Sequence, residues 1–320
     1  MQEFTKRQLG KTDIEVSPIG FGAMELAGGH SFFRFMFTPV EPETQNEVVK
    51  VALDSGISLI DTAEIYGSGY SECAVSRSLQ AAEKSPGDVV ISTKWFPMLK
   101  RAKSIRKSAA KSTERLAPYP IDLYFVHMPY SVSSVEAQMD EMADLMEAGI
   151  IQAVGVSNFS KDRMIRAHDA LAERGIPLAA NQVHFSLLKR GIEFNGTLEA
   201  AKELSVTIMA YTPLGQGVLT GNLHRNPELV DKMPRVRRFR IRGGLKKSKE
   251  LVETLEAIAS EHNATAAQVA LSWTINYHGD TIITIPGATK TYQVEQNAGA
   301  MKLSMSSEQM ETISTLSLEL

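Results

Sequence analysis

Residues 88–94, DVVISTK, and residues 121–127, IDLYFVH, indicate the fold, because each is a short run rich in apolar and β-branched residues that ends in a side chain able to bind or donate a proton. Strands with this composition are usually covered by protein on both faces, which is typical of parallel sheets. Consecutive parallel strands need a helical crossover, so their carboxyl ends lie at one edge of the sheet. We therefore expect Lys94 and His127, which end these two runs, to lie close together.

Six further runs of this kind alternate with amphipathic segments of helical length along the chain. Eight such strand–helix units predict a closed (β/α)8 TIM barrel, and we expect residues 1–320 to form that one domain. Gly56, Gly149 and Gly175 follow three predicted helices at the position where a left-handed residue commonly ends a helix. The predicted strands are VSPIGFG (16–22), ISLID (57–61), VVISTK (89–94), DLYFVH (122–127), IQAVGVS (151–157), LAANQVHF (178–185), VTIMAY (206–211) and TIITIPG (281–287).

The alternative fold is an open, doubly wound sheet that binds a dinucleotide at its first turn. That fold carries a G-x-G-x-x-G fingerprint there, and the glycines of IGFGAMELAGG (19–29) do not have this spacing. The barrel is therefore preferred. The segment before it, EFTKRQLGKTDIEV, predicts an N-terminal β-hairpin that closes the barrel floor. Residues 212–280 form the longest connection, for which we expect a long loop after strand 7 and then two helices.

Composition and charge limit the class of protein. The chain has 320 residues, a net charge of -3 and a pI near 6.2, which disfavours nucleic acid and anionic membranes as partners. Its single cysteine, Cys73, excludes an intramolecular disulfide, and the N-terminus has no signal-peptide pattern. No histidine pattern predicts a metal site, and no G-x-S-x-G motif predicts a serine hydrolase. We expect a soluble, cytoplasmic protein, and the pattern predicts no particular oligomeric state.

Four polar residues at strand ends, Asp61, Tyr66, Lys94 and His127, form a proton-donating set. Asp61 would keep Lys94 cationic, and Lys94 would lower the pKa of Tyr66 so that the phenol can donate its proton. His127 would hydrogen-bond the oxygen that receives it. An oxygen that gains both negative charge and a proton indicates a carbonyl group that accepts hydride. Each residue alone also has an ordinary structural interpretation, such as a helix cap or a packed side chain. Four such residues at one end of one barrel are better explained by a functional site than by four independent structural roles.

The motifs in chain order resemble those of the aldo-keto reductase superfamily over essentially the whole chain. They are QLGKTDIEVSPIGFGAM, GISLIDTAEIYGSGYSE, VVISTK, IDLYFVHMP, AVGVSNFS, ANQVHFSLL, AYTPLGQGVLTG and IPGATKTYQVEQNAGA. The resemblance implies a (β/α)8 barrel that reduces aldehydes or ketones with NAD(P)H, and it implies a catalytic tetrad of Asp61, Tyr66, Lys94 and His127. Some superfamily members are cofactor-sensing regulatory subunits, so a sensor with little turnover is an alternative. A lyase or isomerase that forms a Schiff base on Lys94 is another.

The resemblance also implies where a dinucleotide cofactor would bind. Ser157, Asn158 and Gln182 would hold the nicotinamide carboxamide, and Tyr211 would stack on the nicotinamide ring. The remaining cofactor residues are Leu214, Gly215, Gln216 and Gly217 at the pyrophosphate, and Gly287, Thr289, Lys290, Gln293, Gln296 and Asn297 at the adenosine end. Glutamines stand at 293 and 296, where members selective for NADP often have arginine and glutamate, and Lys290 is the one nearby cation. NADPH is preferred, and NADH is possible.

A small carbonyl compound is the expected substrate, bound by residues over the barrel mouth. Candidates are Met24, the SFFRFMF segment (31–37), Trp95 and Phe96, an apolar rim that suits an apolar or aromatic substrate. For Trp95, packing against a neighbouring strand is an equally good interpretation. The basic tract RVRRFRIRGGLKK (235–247) is interpreted as part of a solvated loop or as a cofactor clamp, since the overall charge argues against nucleic acid.

Overall fold

Ten strands are present in the computed structural model, which describes residues 4–30, 40–233 and 235–320. Two form a hairpin and eight form one parallel sheet. They are β1 (Arg7–Gln8), β2 (Glu15–Val16), β3 (Phe21–Gly22), β4 (Leu59–Asp61), β5 (Val90–Trp95), β6 (Ile121–Val126), β7 (Ile151–Ser157), β8 (Leu178–His184), β9 (Thr207–Tyr211) and β10 (Ile282–Thr284).

The parallel sheet follows chain order from β3 to β10, and its two outer strands meet to close the barrel. Parallel bridges join Ile19 to Thr284 and Gly22 to Gly287. The backbone N–H of Gly20 donates to the Thr284 carbonyl at 2.8 Å. The predicted (β/α)8 barrel is thus confirmed. The first predicted strand is broken around Pro18, which has no N–H to donate to a sheet.

Helices follow the barrel strands and cover the outside of the sheet. They are α1 (Pro42–Asp54), α2 (Tyr70–Ala81), α3 (Ser104–Leu116), α4 (Val135–Glu147), α5 (Lys161–Ala172), α6 (Thr197–Leu204), α7 (Asn222–Arg225), α8 (Glu228–Asp231), α9 (Arg235–Lys247), α10 (Lys249–Glu261), α11 (Ala266–Asn276), α12 (Thr291–Gly299) and α13 (Ser307–Leu318). Short 3₁₀ helices span Met24–His30, Tyr66–Gly69, Gly191–Glu193, Gly215–Thr220, Gly279–Thr281 and Ala300–Lys302. In the described residues, none of these helices is both long and apolar enough to cross a bilayer.

The predicted N-terminal hairpin is confirmed and closes the barrel floor. Strand β1 pairs antiparallel with β2, and Leu9 between them is fully buried in the apolar cluster inside the barrel. At the turn, Gly10 has a φ of +59°, and a Cβ there would lie 2.7 Å from the Ala179 carbonyl oxygen. Its N–H donates to the Thr207 hydroxyl at 2.8 Å. Only glycine permits this close approach of the hairpin to the sheet.

The connection between β9 and β10 differs from the prediction, because helices occupy most of the segment expected to be a loop. The two predicted helices are present as α10 and α11, and the basic tract forms α9. Buried Ile241 of α9 joins an apolar cluster with Val218, Leu223 and Val230. Arginine, lysine and leucine favour helix, and this small cluster gives the helix an apolar face on which to pack.

Candidate functional site

A buried ion pair lies at the carboxyl end of the barrel strands. Asp61 ends β4 and Lys94 is the second-last residue of β5. The Lys94 Nζ donates to Asp61 Oδ2 at 2.6 Å and to the Thr62 carbonyl at 2.6 Å. The Lys94 side chain has no solvent exposure and that of Asp61 only 3%. Burying a charge costs free energy, and this cost is offset only when the charge is paired with an opposite charge and satisfied by further hydrogen bonds.

Two more side chains hold Asp61 in place. The Ser92 hydroxyl donates to Asp61 Oδ1 at 2.6 Å, and Gln182 Nε2, from β8 across the barrel, donates to the same oxygen at 3.0 Å. Ser92 was not among the predicted site residues. Its signal was available, because residues two apart on a strand face the same side and Ser92 precedes Lys94 by two. Gln182, predicted as a cofactor ligand, also supports the carboxylate.

Tyr66 begins the 3₁₀ helix that follows β4, and its ring lies over the ion pair. The Lys94 Nζ is 5.1 Å from the centroid of the Tyr66 ring. The His127 ring meets the Tyr66 ring edge-on, with centroids 5.7 Å apart and an interplanar angle of 83°. The four residues predicted from separate motifs, Asp61, Tyr66, Lys94 and His127, therefore meet in space.

The pKa of Tyr66 departs from the expectation. Burial of the phenol raises its pKa well above the ordinary value, and the negative charges of Asp61 and Glu25 raise it further. The expected net lowering of this pKa beside Lys94 is therefore wrong, because desolvation by burial, the largest cause of the shift, disfavours the phenolate. The phenol consequently keeps its proton at neutral pH.

Burial lowers the pKa of Lys94, and the carboxylate of Asp61 opposes that effect through its charge and its hydrogen bond. Burial also lowers the pKa of His127 well below its ordinary value, and the Lys94 cation lowers it further. His127 is therefore a neutral imidazole at pH 7. Among the described residues its Nδ1 is buried without a hydrogen-bond partner, an unsatisfied polar atom at the mouth of the site.

The residues expected at a nicotinamide ring form one hydrogen-bonded group. The Tyr211 hydroxyl donates to Asn158 Oδ1 at 2.9 Å, and Asn158 Nδ2 donates to the Ser157 hydroxyl at 3.0 Å. The Tyr211 ring stacks on His184, with centroids 5.2 Å apart. One face of Tyr211 is thus held by protein, beside amide and hydroxyl groups that can pair with a carboxamide. These residues fit the nicotinamide end of a dinucleotide.

The segment Leu214–Gly217 forms a tight turn after β9 with non-helical backbone angles. Gly215, Gln216 and Gly217 all have positive φ, between 55° and 95°. The N–H of Gly215 donates to the Thr212 carbonyl and that of Gly217 to the Leu214 carbonyl. Two of the backbone N–H groups expected to face a pyrophosphate are therefore already used within the turn.

The predicted adenosine-end residues cluster at the start of α12. Lys290 is exposed, with its Nζ 5.7 Å from the centroid of the Tyr292 ring. Gln293 Oε1 accepts a hydrogen bond from the Thr289 N–H at 3.0 Å, so this side chain supports the loop. The exposed Lys290 ammonium fits a phosphate partner. Asn297 is buried, whereas Gln296 is partly exposed and Gly287 is exposed.

The predicted substrate residues separate into two groups. Trp95 is fully buried, and its Nε1 donates to the Ser104 hydroxyl at 3.1 Å, which favours the packing interpretation. Phe96 packs edge-on against His127, with centroids 5.8 Å apart. Met24 is partly exposed in the 3₁₀ helix after β3. The SFFRFMF segment (31–37) lies outside the described residues.

The chain belongs to the aldo/keto reductase family, whose family model matches residues 18–317. Members of this family are oxidoreductases that act on small carbonyl compounds and generally use nicotinamide cofactors. The suspected resemblance is therefore confirmed.

Named relatives agree with this assignment. The chain is 31% identical over 314 residues to a probable aldo-keto reductase of Glycine max, covering 96% of this chain and 87% of that protein. It is 35% identical over 270 residues to an uncharacterized oxidoreductase of Mycobacterium tuberculosis, covering 83% and 80%. Among solved structures, a thermostable aldo-keto reductase in complex with the inhibitor epalrestat is similar, with a TM-score of 0.79, 26% identity and coverage of 98% and 99%.

Proposed function

We propose that this chain reduces aldehydes or ketones to alcohols with NADPH, and that Tyr66 donates the proton to the carbonyl oxygen. The observation that carries the proposal is the buried Asp61–Lys94 pair directly beneath the Tyr66 ring. A bound nicotinamide dinucleotide supplies the hydride. The chain's own residues must then bind the substrate oxygen, deliver a proton and stabilise the charge that develops there.

Tyr66 is suited to donate because it stays protonated until the oxygen acquires negative charge. Its raised pKa keeps the phenol neutral in the ground state. As the proton leaves, negative charge appears near the Lys94 ammonium, which is fixed by Asp61 and the Thr62 carbonyl. A cation held in place before the reaction stabilises that charge without rearranging.

His127 is proposed to orient the carbonyl oxygen. Its ring contacts both Tyr66 and Phe96, so it lies between the proton donor and the apolar rim. A neutral imidazole can donate one hydrogen bond to an oxygen. It is a weaker acid than the Tyr66 phenol, so it would not replace Tyr66 as the proton donor.

Cofactor binding is proposed at the residues around Tyr211 and at Lys290. The aromatic face of Tyr211 would support the nicotinamide ring, with Ser157, Asn158 and Gln182 at its carboxamide. Lys290 would contact the 2′-phosphate that distinguishes NADPH from NADH. A Schiff base on Lys94 is disfavoured, because its Nζ is fully buried and two of its three N–H donors are engaged.

The test is NADPH oxidation followed by absorbance with a panel of aldehydes and ketones, comparing the wild type with Tyr66→Phe. We expect the variant to lose about a hundredfold or more in kcat, since general acid catalysis contributes that much. Its Kd for NADPH should stay within a few-fold, because the hydroxyl acts on charge that develops in the transition state.

Tyr277→Phe is the matched control, since that hydroxyl donates to Glu311 of α13 at 3.0 Å. It should react like the wild type. Near-wild-type turnover in Tyr66→Phe would show that another group donates the proton. Tight NADPH binding without turnover of any carbonyl would indicate a sensor instead.

A further inference from the structure

We propose that Glu72 is a positioning residue that fixes Tyr66 over Lys94, by joining the turn that carries the phenol to the strand that carries the amine. The proposal rests on the function proposed above for Tyr66 and Lys94. Glu72 lies on the first turn of α2, is fully buried and touches neither of them in a hydrogen bond of its own.

The turn after Tyr66 needs outside support. Gly67, Ser68 and Gly69 all have positive φ, at 62°, 56° and 95°. Ser68 is a non-glycine residue in the left-handed region, where side chains are disfavoured. Such a conformation persists only when its surroundings hold it. Whatever fixes the residues after this turn therefore also fixes Tyr66 before it.

The first turn of α2 is attached to both strands that carry the ion pair. The Thr62 hydroxyl donates to the Ser71 hydroxyl oxygen at 2.8 Å. The Thr93 hydroxyl donates to Glu72 Oε1 at 2.6 Å. Thr62 directly follows Asp61 and Thr93 directly precedes Lys94. The two hydrogen bonds thus connect the helix to the immediate neighbours of the buried pair.

The second oxygen of Glu72 holds an arginine against the turn. Arg115 Nε, from α3, donates to Glu72 Oε2 at 2.5 Å. The stem of Arg115 lies on Gly69 so closely that a Cβ at residue 69 would be 2.5 Å from Arg115 Cδ. Glu72 therefore holds the turn through two contacts. One is the hydrogen bond from Thr93 on β5, and the other is the ion pair with Arg115, whose side chain packs on Gly69.

Thr93→Val and Thr93→Ser test the attachment to β5. Valine has nearly the shape of threonine but no hydroxyl, whereas serine keeps the hydroxyl. We expect Thr93→Val to lower kcat at least tenfold with its Kd for NADPH within twofold, and Thr93→Ser to restore kcat to within twofold of the wild type. Glu72→Gln should lower kcat at least as far as Thr93→Val, because it also weakens the hold on Arg115.

Glu193→Gln is the matched control, since Glu193 and Arg190 form another buried pair, with side chains 8% exposed, on the loop between β8 and α6. It should lower thermal stability and leave kcat within twofold. The proposal is overturned if folded Thr93→Val retains kcat, or if Glu193→Gln loses kcat as strongly as Thr93→Val. Should Glu72→Gln fail to fold, the two Thr93 variants decide.

A readout without turnover separates this proposal from the proposed function. In protein labelled with ¹³C at the tyrosine Cζ, the Tyr66 signal is identified by its loss in Tyr66→Phe. We expect that signal to shift or broaden in Thr93→Val and to stay unchanged in Thr93→Ser and Glu193→Gln. An unchanged signal in Thr93→Val overturns the positioning role, even if the wild type reduces no carbonyl compound.

Discussion

Asp61→Asn should destabilise the protein in a way that depends on pH. The substitution removes the counter-charge of Lys94 and leaves a buried ammonium whose other hydrogen-bond acceptor is the Thr62 carbonyl. Breaking a buried ion pair by removing one partner costs about 3–5 kcal/mol. We expect a loss of that size in the free energy of unfolding near neutral pH.

The pH dependence follows from the proton on Lys94. Burial already lowers its pKa from 10.5, and the charge of Asp61 opposes that effect. Without Asp61 the pKa in the folded variant falls further, so the folded state binds the proton less tightly than the unfolded state. Stability then rises with pH between the lowered pKa and 10.5, by up to about 1.4 kcal/mol per pH unit. The stability difference from the wild type should therefore shrink as the pH increases.

Urea unfolding of both proteins, from about pH 7 to about pH 9, measures this difference, and the slope is set by proton linkage. Glu136→Gln is the control, because its partner Arg166 cannot lose a proton in this range. Its stability loss should stay constant with pH. A loss in Asp61→Asn that is constant with pH, or below about 1 kcal/mol as for a surface pair, would refute the inference that a charged, buried Lys94 depends on Asp61.

Two further predictions concern the cofactor and the barrel floor. Lys290→Ala should raise KM for NADPH about tenfold, because it removes one hydrogen bond to a charged group, and should leave KM for NADH within twofold. Lys302→Ala is the control. Equal changes in KM for both cofactors would show that Lys290 does not bind the 2′-phosphate. Burial raises the pKa of Asp122 to about 6 from 3.8, against the opposing hydrogen bond from the Ile91 N–H. Stability from this group is fully present below 3.8 and is lost as the pH rises through about 6, a change of about 3 kcal/mol. Urea unfolding should show that the free energy of unfolding of the wild type falls by about that much relative to Asp122→Asn between about pH 4 and about pH 7. A difference between the two proteins that is constant with pH would show that the pKa of Asp122 is not raised.

The order of the elements could be predicted from the sequence because buried parallel strands leave a strong pattern. Most barrel strands are apolar runs, and β7 begins and ends at the predicted residues, Ile151 and Ser157. Gly56, Gly149 and Gly175 have the expected positive φ. The helical state of residues 235–247 was missed, because it depends on packing against Val218 and Val230, which are distant from most of α9 in sequence.

The identities of the proposed site residues could be predicted, but the supports around them could not. Asp61, Lys94 and His127 follow recognisable strands, so their convergence follows from topology alone. The hydrogen bond of Gln182 to Asp61 crosses the barrel from β8 to β4, and no local pattern encodes it. The contact of Arg115 with Gly69 likewise joins two segments that are far apart in sequence, and no helix or strand periodicity predicts it.

The direction of the Tyr66 pKa shift could not be predicted from the identities of the neighbouring residues, because it depends on the sum of opposing effects. A lysine near a phenol lowers its pKa and burial raises it, so the sign depends on distances and solvent exposure that a sequence does not contain. Here burial prevails. This outcome is compatible with the proposed donor role, because a phenol keeps its proton at neutral pH as long as its pKa stays above the pH of the solution. In the proposed reaction, Lys94 would act after the proton has moved, when a phenolate exists for its cation to stabilise. Under that proposal, the same geometry would provide both a protonated ground state and a stabilised transition state.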